Sequence, residues 1–275
     1  MNLRRIGALV PDGMLESMDR TRRRLDPLLR ILHSRLERDV ASHPCPRCVG
    51  IIMDGNRRWA SRYGKKPWMG HRLGKQKVRE LLEWCKPFGI RSLVLYAFSA
   101  ENFSRSAEEV SEIMKLMKEG FDELASDPLL SSEAIRVRVI GRLDLLPPPL
   151  LQSIRTVEDL SRENDSYHLT FAIAYSGRTE LTDACRAIAR EVHDGTLDSS
   201  SITESTITSH LYAPDIPDPD LIIRTSGEQR ISNFLTWQAV YSELHFTPTL
   251  WPDFSYIDFL KALRSYQNRE RRIGR

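Results

Sequence analysis

The amino-acid sequence predicts a single α/β domain with a mostly parallel central sheet flanked by helices. Three observations lead to this fold class. Short apolar runs rich in β-branched residues recur along the chain, and stretches with helical periodicity separate them. The chain has 275 residues, of which 41% are hydrophobic, so it can fill one large core. Strands that alternate with helices are typical of parallel sheets.

The predicted strands are short and mostly apolar. In chain order they cover residues 49–53, 92–98, 135–140, 169–175 and 220–225. Strands with little polar alternation are expected where helices cover both faces of a parallel sheet.

The predicted helices cover residues 74–89, 106–125, 146–164 and 179–195. The second begins after Ser106, and Glu109 three residues later predicts a capping box. Its apolar face comprises Val110, Ile113, Met114, Met117, Phe121 and Leu124. This pattern favours a helix facing the core, although two methionines also suit a flexible groove for an apolar ligand.

Residues 1–44 are predicted to form a helical extension that precedes the main domain at residues 45–275. Leucines and isoleucine recur at helical spacing within residues 25–40. The extension holds nine Arg against six acidic residues, whereas the rest of the chain is close to neutral. Two interpretations stay open: the helix packs on the outside of the domain, or it docks on a membrane surface or a partner.

Composition argues against several classes of protein. A net charge of +3 is too small to indicate nucleic-acid binding. No run approaches the roughly 18 apolar residues that a membrane span needs, and no signal-peptide segment is recognisable near Met1. We therefore expect a cytoplasmic protein with at most peripheral contact to the cytoplasmic membrane face.

The cysteines indicate a reducing compartment. Four cysteines do not make a disulfide framework in a chain of this length. Cys45 and Cys48 form a Cys-x-x-Cys pair with His43 nearby, which raises a zinc site. A structural zinc needs four ligands, and no second pair with suitable spacing is present. The sequence therefore favours two small residues leading into a strand.

Polar residues follow three predicted strands. The groups are Asp54, Gly55, Asn56, Arg57 and Arg58; then Ser99, Ala100, Glu101, Asn102, Phe103 and Arg105; then residues 224–232. Ligands of parallel sheets bind beyond the carboxyl ends of the strands, and guanidinium groups bind phosphate oxygens. Asp54 is placed to ligate a Mg²⁺ ion that bridges diphosphate oxygens. The glycine motifs of ATP and dinucleotide sites are missing.

Several long blocks of sequence carry a resemblance to a known family. They read IIMDGNRRWA, GHRLGKQKV, LYAFSAENFSR, DLIIRTSGEQRISNFLTWQAVYSELHFTPTLWPDF and NRERRIG. They resemble the cis-prenyltransferases, the undecaprenyl and dehydrodolichyl diphosphate synthases, from Val49 to Gly274. The first block, the AYSGR segment and the basic extension are more similar to archaeal and eukaryotic members. The resemblance implies a homodimeric enzyme with an elongated hydrophobic tunnel, which repeatedly adds isopentenyl diphosphate to an allylic diphosphate.

The resemblance also implies roles for individual residues. Asp54 assists Mg²⁺ and diphosphate departure, Asn102 helps to take up a proton, and Glu243 is a second Mg²⁺ ligand. The implied substrate-binding residues are Gly55, Asn56, Arg57, Arg58, Trp59, His71, Ser99, Ala100, Glu101, Phe103, Arg105, Arg224, Arg230, Ile231, Ser232, Arg272 and Gly274. The last two belong to a tail that completes the site of the neighbouring subunit.

Three positions depart from the family pattern. A commonly basic position is occupied by Pro67, so Lys66 is expected to substitute for it. Gln229 stands where bacterial members often have a metal-ligating histidine, which leaves Asp54 and Glu243 as the metal ligands. Phe103 replaces the common tryptophan and keeps an aromatic ring there. By the same resemblance, Ala97 lies at the mouth of the product tunnel, Leu169 lies near its floor, and the helix at 106–125 forms one wall.

The expected activity is synthesis of a medium- to long-chain cis-polyprenyl diphosphate, a lipid-carrier precursor. The expected primer is geranyl, farnesyl or geranylgeranyl diphosphate. The sequence argues against two other classes of protein. A non-catalytic partner subunit would be expected to lose Asp54 or the RTSGEQRIS block, and both are present. A phosphatase built on Asp54 would need an acid two residues later, where Asn56 stands.

Overall fold

The structure is a computed structural model, and it describes residues 27–269 and the side chains of residues 33–269. The chain divides into two units, Met1–His43 and Pro44–Arg275. In the first unit, helix α1 covers Pro27–Ala41. The first part of the predicted extension lies outside the described residues, so the extension's role stays a prediction. No helix among residues 27–269 is long and apolar enough to cross a bilayer.

The second unit contains six parallel strands: β1 Cys48–Ile52, β2 Ser92–Ser99, β3 Ile135–Ile140, β4 Tyr167–Tyr175, β5 Leu221–Arg224 and β6 Glu243–Phe246. Their order in the sheet is β3-β4-β2-β1-β5-β6. Every pairing is parallel, which confirms the predicted fold class. The sequence did not predict β6. This edge strand is short and partly exposed along its length, so it lacks an apolar run.

The helices of the second unit are α2 Asn56–Arg62, α3 Pro67–Cys85, α4 Ala107–Ala125, α5 Pro128–Ser132, α6 Pro148–Leu160, α7 Gly177–His193, α8 Glu204–Ser209 and α9 Tyr256–Gln267. Helix α3 begins at Pro67 rather than at Gly74, because proline at the first helical position has no N–H to leave unsatisfied. Helix α9 was not predicted, although Ser255 and Asp258 form a complete capping box at its start.

Half of the predicted capping box of α4 is wrong. The Ser106 hydroxyl accepts the Glu109 backbone N–H at 3.3 Å, as expected. The Glu109 carboxylate does not return to Ser106; it lies 3.0 Å from Arg105 Nη1. Glu109 is 4% exposed, so its charge is buried beside that guanidinium group. An ion pair to Arg105 offsets the cost of burial better than a backbone N–H would.

The core lies on both faces of the sheet. On one face, Phe121 of α4 packs edge-on against Phe171 of β4, with ring centroids 5.3 Å apart. Met114 of α4 is also buried, which agrees with the core-facing interpretation of this helix. On the other face, Tyr96 and Tyr175 form a cluster with Phe234 from the segment between β5 and β6. Burial on both faces explains the mostly apolar strands.

Candidate active site

Asp54 and Arg224 meet at the carboxyl ends of two neighbouring strands. β1 pairs with β5 so that Ile52 lies opposite Arg224, and Asp54 follows two residues later. Asp54 Oδ2 lies 2.8 Å from Arg224 Nη2, and Asp54 Oδ1 lies 3.5 Å from Arg58 Nη2. Burial raises the pKa of the Asp54 carboxyl, but the hydrogen bond and charge of Arg224, with Ser226 and Arg58, hold it below its usual value. Asp54 is therefore ionised and flanked by two guanidinium groups.

Arg224 also organises the loop that follows it. Its guanidinium is almost fully buried, and Nη1 donates to the Arg230 carbonyl oxygen and, at 2.6 Å, to Ser232 Oγ. Arg230 itself is exposed and pairs with Glu228. Glu228 also lies 3.5 Å from Arg58, so it is an ion-pair partner of two arginines. Arg224 thereby contacts Ser232 and the backbone of Arg230, and the implied contacts of these three residues with isopentenyl diphosphate stay predictions.

Helix α2 is held in place by direct backbone contact with α3. A Cβ atom on Gly70 would lie 2.0 Å from the carbonyl oxygen of Asn56, so only glycine allows this approach. Asn56 is buried, and its amide donates to the Met53 carbonyl at 3.1 Å. The residue before α2, Gly55, has φ +106°, which also favours glycine. These contacts fix Asn56 and Arg58 beside Asp54.

A second cationic group surrounds Glu109. Arg105 Nη1 lies 3.0 Å from Glu109 Oε1 and 3.4 Å from His71 Nε2, while Arg57 Nε lies 3.5 Å from Glu109. Burial and the charges of Arg105 and Arg57 lower the pKa of His71 to about 3. His71 is therefore neutral at ordinary pH. Glu109 was predicted only as part of a helix cap, and its spacing of four residues from Arg105 was the available signal for this contact.

The Ser99–Arg105 segment forms a short 3-10 helix, Ala100–Ser104, after β2. Ser99 and Asn102 cap it reciprocally, and Asn102 Oδ1 accepts the Ser99 N–H at 3.1 Å. The Asn102 side chain is thus oriented by the backbone N–H of Ser99. Phe103 packs edge-on against Phe98, with ring centroids 5.0 Å apart.

Two residues predicted to bind substrate, Trp59 and Ile231, are buried or partly buried. Trp59 is 3% exposed, and its indole N–H donates to Asp253 Oδ1 at 2.8 Å. Ile231 is partly buried and packs against the apolar cluster around Tyr96. Both side chains therefore have packing contacts within the chain, and their predicted contacts with substrate stay predictions.

The structure does not bring Glu243 to Asp54 within one chain. Glu243 begins β6 opposite Leu221, the first residue of β5, whereas Asp54 lies beyond the last residues of its neighbours. Its carboxylate pairs with Arg269 at 2.7 Å. No group of three or more His, Cys, Asp or Glu side chains that could hold a metal ion occurs within the described part of the chain, residues 27–269. Arg272 and Gly274 lie outside the described residues.

An open cleft of about 540 Å³ lies beside α4. Phe103, Val110, Met114 and Leu150 supply apolar walls, and Arg105 and Lys118 are among its cationic residues. Ala97 is partly buried, and Leu169 is buried. The product tunnel expected to run along α4 between these two positions stays a prediction. Lys66, the expected substitute for the basic residue missing at Pro67, precedes α3 and lies 3.9 Å from Glu108.

Known proteins of similar sequence and structure were compared with this chain. Residues 52–274 match the family model described as putative undecaprenyl diphosphate synthase. A Pyrococcus horikoshii protein named tritrans,polycis-undecaprenyl-diphosphate synthase (geranylgeranyl-diphosphate specific) is 50% identical over 236 residues, covering 86% of this chain and 89% of the relative. A relative of that name from Methanocaldococcus jannaschii is 46% identical over 250 residues, covering 90% and 89%.

Solved structures agree with this assignment. The chain is similar to lavandulyl diphosphate synthase from Lavandula x intermedia, solved in complex with dimethylallyl diphosphate, with a TM-score of 0.80 and 37% identity. The alignment covers 84% of this chain and 99% of that one. A probable undecaprenyl diphosphate synthase from Campylobacter jejuni gives a TM-score of 0.68 at 30% identity, with the same coverage. The chain therefore belongs to the undecaprenyl diphosphate synthase family and is a cis-prenyltransferase.

Proposed function

We propose that this enzyme uses geranylgeranyl diphosphate as primer and extends it with isopentenyl diphosphate, in cis, to an undecaprenyl diphosphate. The proposal refines the expectation of a medium- to long-chain product from any of three primers. The names of the archaeal relatives support it, since they specify that primer and that product. The structural observation that carries it is the ionised Asp54 between Arg224 and Arg58 at the carboxyl edge of the sheet.

Two cationic groups suit two diphosphates. Arg224, Arg230 and Ser232 lie together after β5, while Arg57 and Arg105 pair with Glu109 and Arg105 also contacts His71. We assign isopentenyl diphosphate to the first group and the allylic diphosphate to the second with Arg58. Fixed guanidinium groups stabilise charge that develops on a departing diphosphate, because they need no reorganisation during the reaction.

The condensation breaks the allylic C–O bond and forms a new C–C bond. The allylic C–O bond breaks and the diphosphate leaves with the bonding electrons. The alkene of isopentenyl diphosphate donates its electron pair to the allylic carbon. A proton then passes to water or to an oxygen of the departed diphosphate, and the electrons of its C–H bond form the new double bond. Holding the alkene against the allylic carbon supplies much of the rate enhancement. Asn102 lies on the segment that we expect to face this proton, and its orientation by Ser99 suits a positioning role.

The residues present fit one Mg²⁺ ion on a diphosphate. Mg²⁺ is commonly held by one or two carboxylates together with phosphate oxygens and water. Asp54 supplies one carboxylate, whose Oδ1 lies 3.5 Å from Arg58 Nη2. When bound, the ion would neutralise charge on the diphosphate oxygens. Glu243 could contribute only to a site shared with another subunit.

We further propose that the enzyme acts as a homodimer. Val240 and Tyr241 precede the edge strand β6 and are 68% and 73% exposed, which is unusual for adjacent large apolar residues. A second copy of the chain would cover them. The expected tail with Arg272 and Gly274 would then reach the partner's site. Peripheral membrane association through residues 1–44 belongs to the same proposal, since the product is a lipid.

Product sizing tests the proposal. Purified protein is incubated with radiolabelled isopentenyl diphosphate and geranyl, farnesyl or geranylgeranyl diphosphate, with and without Mg²⁺, and chain lengths are read on reversed-phase plates. We expect a Mg²⁺-dependent ladder that ends at undecaprenyl length and is most efficient with geranylgeranyl diphosphate. Equal use of the three primers would contradict the primer assignment. No incorporation by folded protein would favour a non-catalytic partner subunit.

A further inference from the structure

Asn233 occupies the turn that follows the Arg224–Ser232 group, and every polar group of its side chain is engaged. Its amide nitrogen donates to Ser176 Oγ at 2.7 Å and approaches Glu101 Oε1 at 3.5 Å. Its amide oxygen accepts the Arg178 N–H at 2.9 Å and the Thr236 hydroxyl at 3.3 Å. The Asn233 side chain thus connects the β5–β6 loop (residues 225–242) to the 3-10 helix that follows β2 and to the start of α7.

The backbone at this point strengthens the same connection. The Asn233 carbonyl accepts the Gly177 N–H at 2.8 Å. A Cβ atom on Gly177 would lie 2.2 Å from Thr236 Oγ1, so the start of α7 packs directly on the loop. Ser232 and Asn233 have backbone φ angles of +48° and +64°. Residues other than glycine and asparagine rarely adopt these conformations. Such a loop keeps its shape only where surrounding contacts impose it.

The imposed shape decides where the neighbouring anion-binding groups lie. Ser232 precedes Asn233 directly, and its hydroxyl and the Arg230 carbonyl are the acceptors of Arg224 Nη1. The Tyr96 hydroxyl of β2 donates to the Ser232 carbonyl oxygen at 3.4 Å. If Asn233 lost its hydrogen bonds at the start of α7, Ser232 and Arg230 would no longer be held at a fixed distance from Arg224.

We propose that Asn233 is a positioning residue that holds Ser232 and Arg230 in register with Arg224 for the diphosphate of isopentenyl diphosphate. The inference rests on the proposed function, because that function assigns this substrate to the β5–β6 loop. Asn233 touches no reacting atom. It acts by anchoring the loop on the start of α7, and so it affects binding of one substrate and leaves the Glu109 group of the allylic site untouched.

The test compares two asparagines that make similar contacts at opposite ends of the sheet. Asn233→Gly removes the side chain and keeps the positive φ accessible. Asn164→Ala is the control, since the Asn164 amide donates to the Leu130 and Ile135 carbonyls near the start of β3. Ser176→Ala removes one partner of Asn233 and serves as the second variant if Asn233→Gly does not fold.

We expect Asn233→Gly to raise the KM for isopentenyl diphosphate at least about tenfold, as loss of two good hydrogen bonds would. The KM for geranylgeranyl diphosphate should change less than about twofold, and Ser176→Ala should give a smaller change of the same kind. Asn164→Ala should lower the Tm without separating the two KM values. Equal increases in both KM values, or none, would overturn the inference.

Binding of inorganic diphosphate, measured by calorimetry, separates this inference from the proposed function. If the wild-type protein incorporates no isopentenyl diphosphate, the proposed function fails. The inference still requires Asn233→Gly to weaken diphosphate binding about tenfold relative to wild type and to Asn164→Ala. Unchanged diphosphate binding in that case would refute it as well.

Discussion

Arg224 Nη2 lies 2.8 Å from Asp54 Oδ2, although 170 positions separate the two residues in the chain. The contact exists because β1 and β5 are neighbours in the sheet and end at the same edge. Arg224 is almost fully buried and Asp54 is 30% exposed, so the carboxylate is the member of the pair that faces solvent. The arrangement places the Asp54 carboxylate at the site, and the buried Arg224 guanidinium favours the ionised form of that carboxylate.

Replacing Asp54 should separate catalysis from folding. Asp54→Asn keeps the shape of the side chain but removes the charge that pairs with Arg224. We expect turnover to fall by roughly 100-fold or more, together with a lower Tm, because a buried guanidinium loses its counter-ion. Asp144→Asn is the control, since Asp144 pairs with Arg142 on the surface. Retained turnover in folded Asp54→Asn would contradict the role of this carboxylate.

The pKa values of His71 and His210 should be shifted in opposite directions from the ordinary histidine value. Burial and the charges of Arg105 and Arg57 lower the pKa of His71 to about 3, whereas the hydrogen bond to Glu191 raises that of His210 above its usual value. Nitrogen-detected NMR of the imidazole rings should find His71 neutral at pH 5 and His210 charged. A charged His71 at pH 5 would show that Arg105 does not face it.

The same shift predicts how acid affects stability. In the unfolded chain, His71 takes up a proton near its ordinary pKa of 6.5, but in the folded protein it does so only near 3. Its contribution to stability is therefore complete above pH 6.5 and falls as the pH decreases from 6.5 towards 3. Replacing His71 by Gln should flatten the loss of Tm over this range. An unchanged slope would contradict the assignment.

Glu109 should matter more than its neighbour one turn away. Glu109→Gln removes the buried charge that Arg105 and Arg57 share, and breaking a buried ion pair costs about 3–5 kcal/mol. We expect a lower Tm and a higher KM for the allylic diphosphate. Glu112→Gln is the matched control, because Glu112 pairs only with the exposed Lys115 among the described contacts. Similar effects of both changes would refute a special role for Glu109.

The contact between α2 and α3 should not tolerate a methyl group. In Gly70→Ala, the new Cβ would stand 2.0 Å from the Asn56 carbonyl oxygen, so α2 must move away and take Arg58 with it. We expect a clear loss of activity. Gly120→Ala on α4 meets only the flexible Lys75 side chain and should stabilise the helix by up to about 1 kcal/mol. Kinetics and thermal unfolding of both variants make the comparison.

The terminal residues 272–275 are expected to complete a neighbouring site. Their removal should lower turnover while the homodimer, measured by analytical ultracentrifugation, persists. Mixing this truncated chain with Asp54→Asn chains should restore part of the activity, because each mixed dimer then contains one intact site. Full activity of the truncated protein alone would show that the tail has no part in the reaction.

Much of the fold could be predicted because its determinants are local. Apolar runs marked five of the six strands within two residues of their observed ends, and helical periodicity marked α4, α6 and α7. The missed strand β6 is short, partly polar and at the edge, so it depends on its pairing with β5. The start of α3 at Pro67 was missed, since it could be predicted only if proline was read as the first residue of a helix.

The candidate site divides in the same way. The sequence by itself determined which residue types follow the strands, and hence predicted that Asp54, Arg224 and Ser232 lie at one edge of the sheet. Only the tertiary structure decided their partners: Glu109 between Arg105 and Arg57, Trp59 in the core, and Glu243 away from Asp54. The physical reason is strand order. Periodicity along the chain shows that a strand exists, but packing of the whole core selects its neighbours and so the side chains that meet at its end.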